Sequence, residues 1–146
     1  MSEANKLRAN LALKNFDADP DATTETEAGW VDMRDFGSIL VGFTRTVGTS
    51  ALTLRLMANA DSAGGGTDVA VKTKTISSEP DAVGDQVWLE VNEGEIKEAA
   101  RAAGVDEVRY VTAVYSLATA TDEGIITYLR GECKRPQEDL TADIVA

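Results

Sequence analysis

Apolar and polar positions alternate along the chain from about residue 29 to residue 131. Residues 30–33 suffice for one short strand. Residues 38–46, Ser-Ile-Leu-Val-Gly-Phe-Thr-Arg-Thr, are rich in strand formers. Across 51–60 the period is two: Leu52, Leu54 and Leu56 point one way, Thr53, Arg55, Met57 and Asn59 the other. Residues 61–66 end in three glycines, which supply the backbone freedom of a hairpin tip. Residues 68–76 resume the alternation, with Val69 and Val71 set against Lys72 and Lys74. In 86–91, Val87, Leu89 and Val91 share one face, and Trp88 and Glu90 take the other. Residues 93–103 predict the one convincing helix, with acids in its first turn and Gly104 as its stop. In 106–118, Val108, Tyr110, Thr112 and Val114 alternate with Arg109, Val111, Ala113 and Tyr115. A strand so apolar on both faces is either central under a helix or set against another subunit. Residues 124–131 predict the last strand.

Seven or eight short strands divided by turn clusters predict an all-β fold, a β-sandwich or jelly-roll-like domain with one short helix. The ends differ from this pattern. Residues 1–28 read as an N-terminal arm, with a short amphipathic helix over 4–16 and then an acidic connector broken by Pro20. The sandwich is expected over 29–133. Residues 134–146 read as a polar tail holding Pro136 and the apolar pair Ile144 and Val145.

Composition narrows the chemistry. A chain of 146 residues is expected to form one domain with a core of its own. The net charge of −11 opposes general nucleic-acid binding, which needs a basic face. No apolar run approaches a membrane span, and the start lacks the pattern of a secretory leader. The absence of histidine removes Ser-His-Asp and Cys-His engines and the common zinc sites. The single cysteine, Cys133, has no disulfide partner within the chain and reads as an inert thiol in a reducing compartment.

Candidate sites thin out in the same way. Asp17, Asp19 and Asp21 have the spacing that opens a calcium loop, but Ala22 and Ala28 stand where Gly and a bidentate Glu are needed. No metal is therefore expected. The glycines at 64–66 lack the Gly-Lys-Ser/Thr ending of a phosphate loop. The carboxylates between Glu90 and Glu98 and at Asp106 and Glu107 have no nucleophile beside them in the sequence. Neither catalysis nor a cofactor is expected. Contact residues remain. Leu7, Leu11, Leu13 and Phe16 give the arm more apolar surface than so short a segment can bury alone. Trp88 sits on an otherwise polar face, where a tryptophan is a contact anchor. Tyr115 belongs to the doubly apolar strand.

Three stretches carry a resemblance. Gly29-Trp30-Val31-Asp32-Met33 opens a strand after a polar arm. Residues 52–64 lead through a turn into Asp68-Val69-Ala70-Val71-Lys72-Thr73. Val108-Arg109-Tyr110-Val111-Thr112 is a late strand followed by Gly131 and Pro136. In these the chain resembles capsid decoration or cement proteins from tailed-bacteriophage head gene clusters, over about two-thirds of its length. The resemblance implies a non-enzymatic β-rich virion subunit, assembled in the host cytoplasm. Its implied partners are the major capsid protein and itself, as a homodimer or homotrimer, with neither nucleic acid nor membrane among them. A head–tail, neck or tail component is the alternative within the virion. A small glycan-binding or hydrolase module is the alternative outside that class and requires a concave polar pocket.

Overall fold

The computed structural model describes residues 12–18, 23–76 and 83–134. Among the described residues nine strands and one helix follow in order: β1 (Ala12–Ala18), β2 (Thr26–Glu27), β3 (Val31–Asp32), β4 (Phe36–Val47), β5 (Leu52–Asn59), β6 (Val69–Ile76), β7 (Gln86–Asn92), α1 (Glu93–Ala102), β8 (Tyr110–Leu117) and β9 (Glu123–Cys133). One sheet has the order β1-β9-β4-β7 and the other β2-β8-β5-β6, with β3 also paired to β8. Every pairing is antiparallel. β2 and β3 act together as one interrupted strand along β8. The chain thus crosses between two four-position sheets in the winding of a jelly roll, the fold that the alternation predicts.

The core lies between the sheets. Ile39, Val41 and Phe43 of β4 and Val87, Leu89 and Val91 of β7 face Leu52, Leu54, Leu56 and Ala58 of β5 across the gap, and all are buried. α1 connects β7 to β8. Asn92 caps its first turn by accepting from the Glu95 backbone, and Glu95 accepts in return from the Asn92 backbone. Its end is a Schellman motif: Gly104, at φ 73°, donates to Arg101, and Val105 donates to Ala100.

Two expectations fail, each for a physical reason. A helix was expected over 4–16, but residues 12–18 are a strand paired with β9 along its whole length. Leu13 and Phe16 spoil a helical stripe because they serve opposite faces of a sheet edge. Leu13 pairs with Leu129 on the outer face, and Phe16 pairs with the buried Ile126. Residues 1–11 lie outside the described residues. In β6, Lys72 and Lys74 were set opposite the core. A bulge between Leu56 and Met57 moves the register by one, so Lys74 pairs with Leu54 and Lys72 with Leu56, on the core-facing side.

Those lysines reach out at the open side of the sandwich. Lys72 Nζ donates to the Glu90 carbonyl at 2.9 Å, and Lys74 Nζ donates to the Trp88 carbonyl at 3.3 Å. Both acceptors belong to β7, the edge of the opposite sheet. The other side is closed by aromatics. Phe16 and Tyr128 pack at 5.0 Å between ring centroids, and Phe16 sits against Gly29, where any Cβ would lie 2.4 Å from its ring. The Tyr128 hydroxyl accepts from the Ala113 N–H at 2.6 Å, in the gap between β2 and β3.

At one end of the sandwich the buried Arg45 donates to Asp122 at 3.0 Å and to the Ser50 carbonyl. The Ser50 N–H donates to the same carboxylate at 2.8 Å. This joins the β4–β5 and β8–β9 connections. Burial pushes the Asp122 carboxyl up, but hydrogen bonding by Ser50 and the Arg45 charge outweigh it and hold it below the ordinary value.

Two predictions follow from these buried polar groups. Burial, only partly offset by the Ala113 hydrogen bond, raises the Tyr128 phenol to about 12. The unfolded chain ionises it near 10. The folded state is therefore favoured fully below pH ~10, and that contribution, roughly 3 kcal/mol, is lost as pH rises toward 12. Tyr128→Phe orphans the Ala113 N–H and costs about 1–3 kcal/mol at neutral pH. Urea unfolding from pH 7 to 11 is expected to show the gap between wild type and variant narrowing above pH ~10. For Asp122 the sign is opposite. Its contribution is present above pH ~4 and fades as pH falls through the lower folded value. Asp122→Asn leaves Arg45 buried without its counter-charge and is expected to cost about 3–5 kcal/mol at pH 7, measured by the same denaturation.

Candidate interaction surface

The outer face of the β1-β9-β4-β7 sheet follows from its register. Leu13, Leu129, Leu40 and Glu90 form one row across the four strands, and Asn15, Thr127, Gly42 and Trp88 form the next. Ile125 and Thr44 continue the face. Leu13, Leu40, Ile125 and Leu129 are half-buried, and Trp88 is 38% exposed. The apolar side chains are neighbours, so they form a patch. A depression of ≈ 180 Å³ lies between Leu40, Glu90 and Leu129.

Trp88 is the most prominent member. Its indole lies over Gly42, where a Cβ would come within 2.4 Å of Cζ3. Its Nε1 donates to Gln86 Oε1 at 3.2 Å. The ring is held flat on the sheet with one face outward. Little rotamer freedom is left to lose on contact with a partner, the property that makes a tryptophan an effective anchor.

Of the other expected contact residues, only Leu13 is placed on this face among the described residues. Leu13 joins this face through its pairing with Leu129. Phe16 turns inward against Tyr128 and Gly29 of its own chain. Tyr115 is 2% exposed and belongs to the core beside Leu54, so no partner of the folded subunit reaches it. The second apolar face of β8 is covered within the chain. Thr112 accepts from the Gly29 N–H at 3.2 Å, and Val114 is flanked by Arg55 and Glu27, with Arg55 paired to Glu25. Leu7 and Leu11 lie outside the described residues. So do Asp19 and Asp21.

The apolar outer row of Leu13, Leu40 and Leu129 escapes sequence reading. β4 is apolar on both parities, and alternation cannot separate its two faces. The cross-strand register alone puts these leucines together.

Among the described residues, no group of three or more His, Cys, Asp or Glu could hold a metal ion. No helix among them is long and apolar enough to cross a membrane. A larger cavity, ≈ 700 Å³, lies beside α1. Glu93 lines it, with hydrogen bonds from Lys134 at 2.6 Å and Lys97 at 2.8 Å that hold its carboxyl below the ordinary value. A carboxylate so paired is a poor proton donor near neutrality.

No family model matches the chain, and no curated protein sequence matches it. Solved structures resemble it at a distance. A chain of Bacillus endospore appendages, which form disulfide-linked pili, is 16% identical at a TM-score of 0.45, covering 83% of this chain and 86% of that one. The SPBc2 prophage-derived protein YomS is 10% identical at 0.45, covering 82% and 93%. A chain of sacbrood virus of honeybee is 10% identical at 0.46, covering 100% and 94%. At these identities and scores the likenesses carry no functional information.

The seat of Trp88 on Gly42 gives a direct test. In a Trp30→Phe background, Gly42→Ala is expected to lift the indole and raise its acrylamide quenching. The urea midpoint should stay close to that of the background, because Trp88 contributes to the surface more than to the core.

Proposed function

We propose that this chain is a virion structural protein that decorates a phage capsid, binding as a homo-oligomer through the outer face of the β1-β9-β4-β7 sheet. One observation carries the reading: an exposed, seated tryptophan stands beside the half-buried row of Leu13, Leu129 and Leu40 on the outer face of a jelly roll. Two carbonyls of the β7 edge are occupied by the Lys72 and Lys74 bonds. Association by strand addition is therefore disfavoured on that side, and a face is what remains for a partner. The resemblance to decoration proteins supports the same assignment, with the major capsid protein as the second partner. Its place is the assembled particle, and its work is binding rather than turnover.

The test uses particles that lack the protein. Wild-type chain is expected to sediment as a dimer or trimer and to rebind such particles. Trp88→Glu and Leu40→Glu are expected to weaken self-association and rebinding by about tenfold or more, since each buries an unpaired charge in an apolar contact. Unchanged rebinding by both variants would overturn the assignment of this face. Electron microscopy of rebound particles separates the roles: density over the shell supports decoration, and density confined to one vertex makes the chain a neck component.

A further inference from the structure

The indole of Trp88 presents a face rather than an edge. A Cβ at Gly42 would lie 2.4 Å from its Cζ3 and 2.6 Å from both Cε3 and Cη2. Three adjacent ring atoms at nearly one distance from the same point set the plane of the ring over the glycine. The Nε1 bond to Gln86 holds it there, and the opposite face stays open, because Trp88 is exposed. A ring lying flat does not plug a partner's pocket. It is a platform on which a planar group stacks.

The next residue on that side of β7 supplies charge. Glu90 follows Trp88 by two positions, ~7 Å along the strand, and is exposed. Its carboxylate makes no ion pair or hydrogen bond with another described residue. The two cations that reach β7 are spent elsewhere: Lys72 Nζ on the Glu90 carbonyl and on Glu95, and Lys74 Nζ on the Trp88 carbonyl. Among the described residues, no Lys or Arg takes an outward position on this sheet, since Lys14, Arg45 and Arg130 fall on the opposite parity. The ≈ 180 Å³ depression, bordered by Leu40, Leu129 and Glu90, lies one row from the indole.

An open aromatic face, an unpaired carboxylate and an apolar depression together complement arginine. Its guanidinium stacks on an indole while its N–H donors stay in its own plane, free to pair with a carboxylate alongside. Its methylenes cover leucine surface. A lysine ammonium is not planar and is more strongly hydrated, so it gains less from the same platform. A cationic contact also suits a chain whose net charge is −11. Resting on the reading that this face docks on the shell, we propose that the face captures an exposed arginine of the shell protein, stacked on Trp88 and paired with Glu90.

Two experiments test this on the whole chain. In the first, N-acetyl-arginine methylamide is titrated at constant ionic strength into Trp30→Phe chain, where Trp88 is the single tryptophan, with the lysine and norleucine amides as controls. The arginine side-chain proton signals are expected to move upfield as the indole face covers them. Both controls should bind roughly threefold or more weakly, Glu90→Gln should weaken the arginine probe by a similar factor, and Trp88→Leu should abolish the upfield movement. Equal binding of the three probes, or an arginine affinity unchanged by Glu90→Gln, overturns the proposal.

The second experiment uses particles that lack the protein and separates this proposal from the reading beneath it. Phenylglyoxal blocks exposed arginines of the shell, and acetic anhydride blocks its lysines. Rebinding lost after the first treatment and kept after the second supports the proposal. Rebinding that survives phenylglyoxal and Glu90→Gln but is lost in Trp88→Glu overturns the proposal and leaves the face as the docking surface. Full rebinding by Trp88→Glu overturns both. Glu90→Gln chain that loses self-association and still rebinds places the arginine on a second copy, which also overturns the assignment to the shell.

Discussion

Two stacked sheets leave four strand edges, and the way they are closed governs the rest of this molecule. An edge strand exposes a row of backbone donors and acceptors that templates pairing with another chain. Here the edges lie side by side, β6 with β7 and β1 with β2 and β3. On the first side a one-residue bulge turns Lys72 and Lys74 toward the gap, and their ammonium groups bond to β7 carbonyls. Their aliphatic stems follow the apolar rim while the charges stay at the surface. Lys72 also reaches Glu95 of α1 at 3.5 Å, so the helix joins the same closure. On the second side, Phe16, Tyr128 and Gly29 close the gap by packing.

The second closure explains an otherwise costly break in a strand. Between β2 and β3 the chain leaves the ladder, and Ala113 loses a backbone acceptor. A buried N–H without a partner is strongly unfavourable. Tyr128 fills the place from across the sandwich, and the near contact of Phe16 with Gly29 lets the bulging chain lie close over the rings. Asp32, just beyond the break, is gripped by Arg109 through two oxygens, and its carbonyl accepts from Arg130 at 2.9 Å. Burial pushes the Asp32 carboxyl up, but the Arg109 hydrogen bond and the Arg34 backbone bond outweigh it and leave it below the ordinary value. The short strand β3 is thus held by charge-assisted bonds where a two-residue ladder alone is weak.

Much of this was legible in the sequence because apolar residues on one parity fix a strand's buried face. β5 and β7 are such strands, and α1 carried its cap and its glycine stop openly. What was not legible depends on partners distant in the chain. The bulge opposite Leu56 reverses the meaning of Val71 and Lys72, and nothing local marks it. β1 has no β-branched residues and reads as a helix until β9 is there to pair with it. Tyr115 looked available because both faces of β8 are apolar. The reason for the second apolar face is the 23–30 segment of the same chain, 80-odd residues away, as the Gly29 to Thr112 bond records. Trp88 was legible as an outward-facing residue, because a tryptophan between Val87 and Leu89 must leave the core. The leucines that turn it into a patch were not.

Edge closure also bears on how such a subunit associates. A partner that adds a strand gains several backbone hydrogen bonds in one register. A partner that docks on a face gains apolar burial and tolerates small rotations. With Lys72 and Lys74 on the β7 carbonyls, strand addition there would first have to displace two charge-assisted bonds. The opposite balance would hold on the outer face of β4, β9 and β7, where Leu40 and Leu129 are half-buried and the seated Trp88 has little conformational freedom to lose. On the proposed reading, the bulge that protects the edge leaves the face as the surface for association. Because that face is built from cross-strand neighbours rather than from one segment, its shape is only as firm as the register of β4 with β9 and β7. The buried Arg45–Asp122 pair tethers the end of that register by joining the end of β4 to the loop before β9. An exposed apolar face and a buried ion pair at one end are in this sense parts of one mechanical unit.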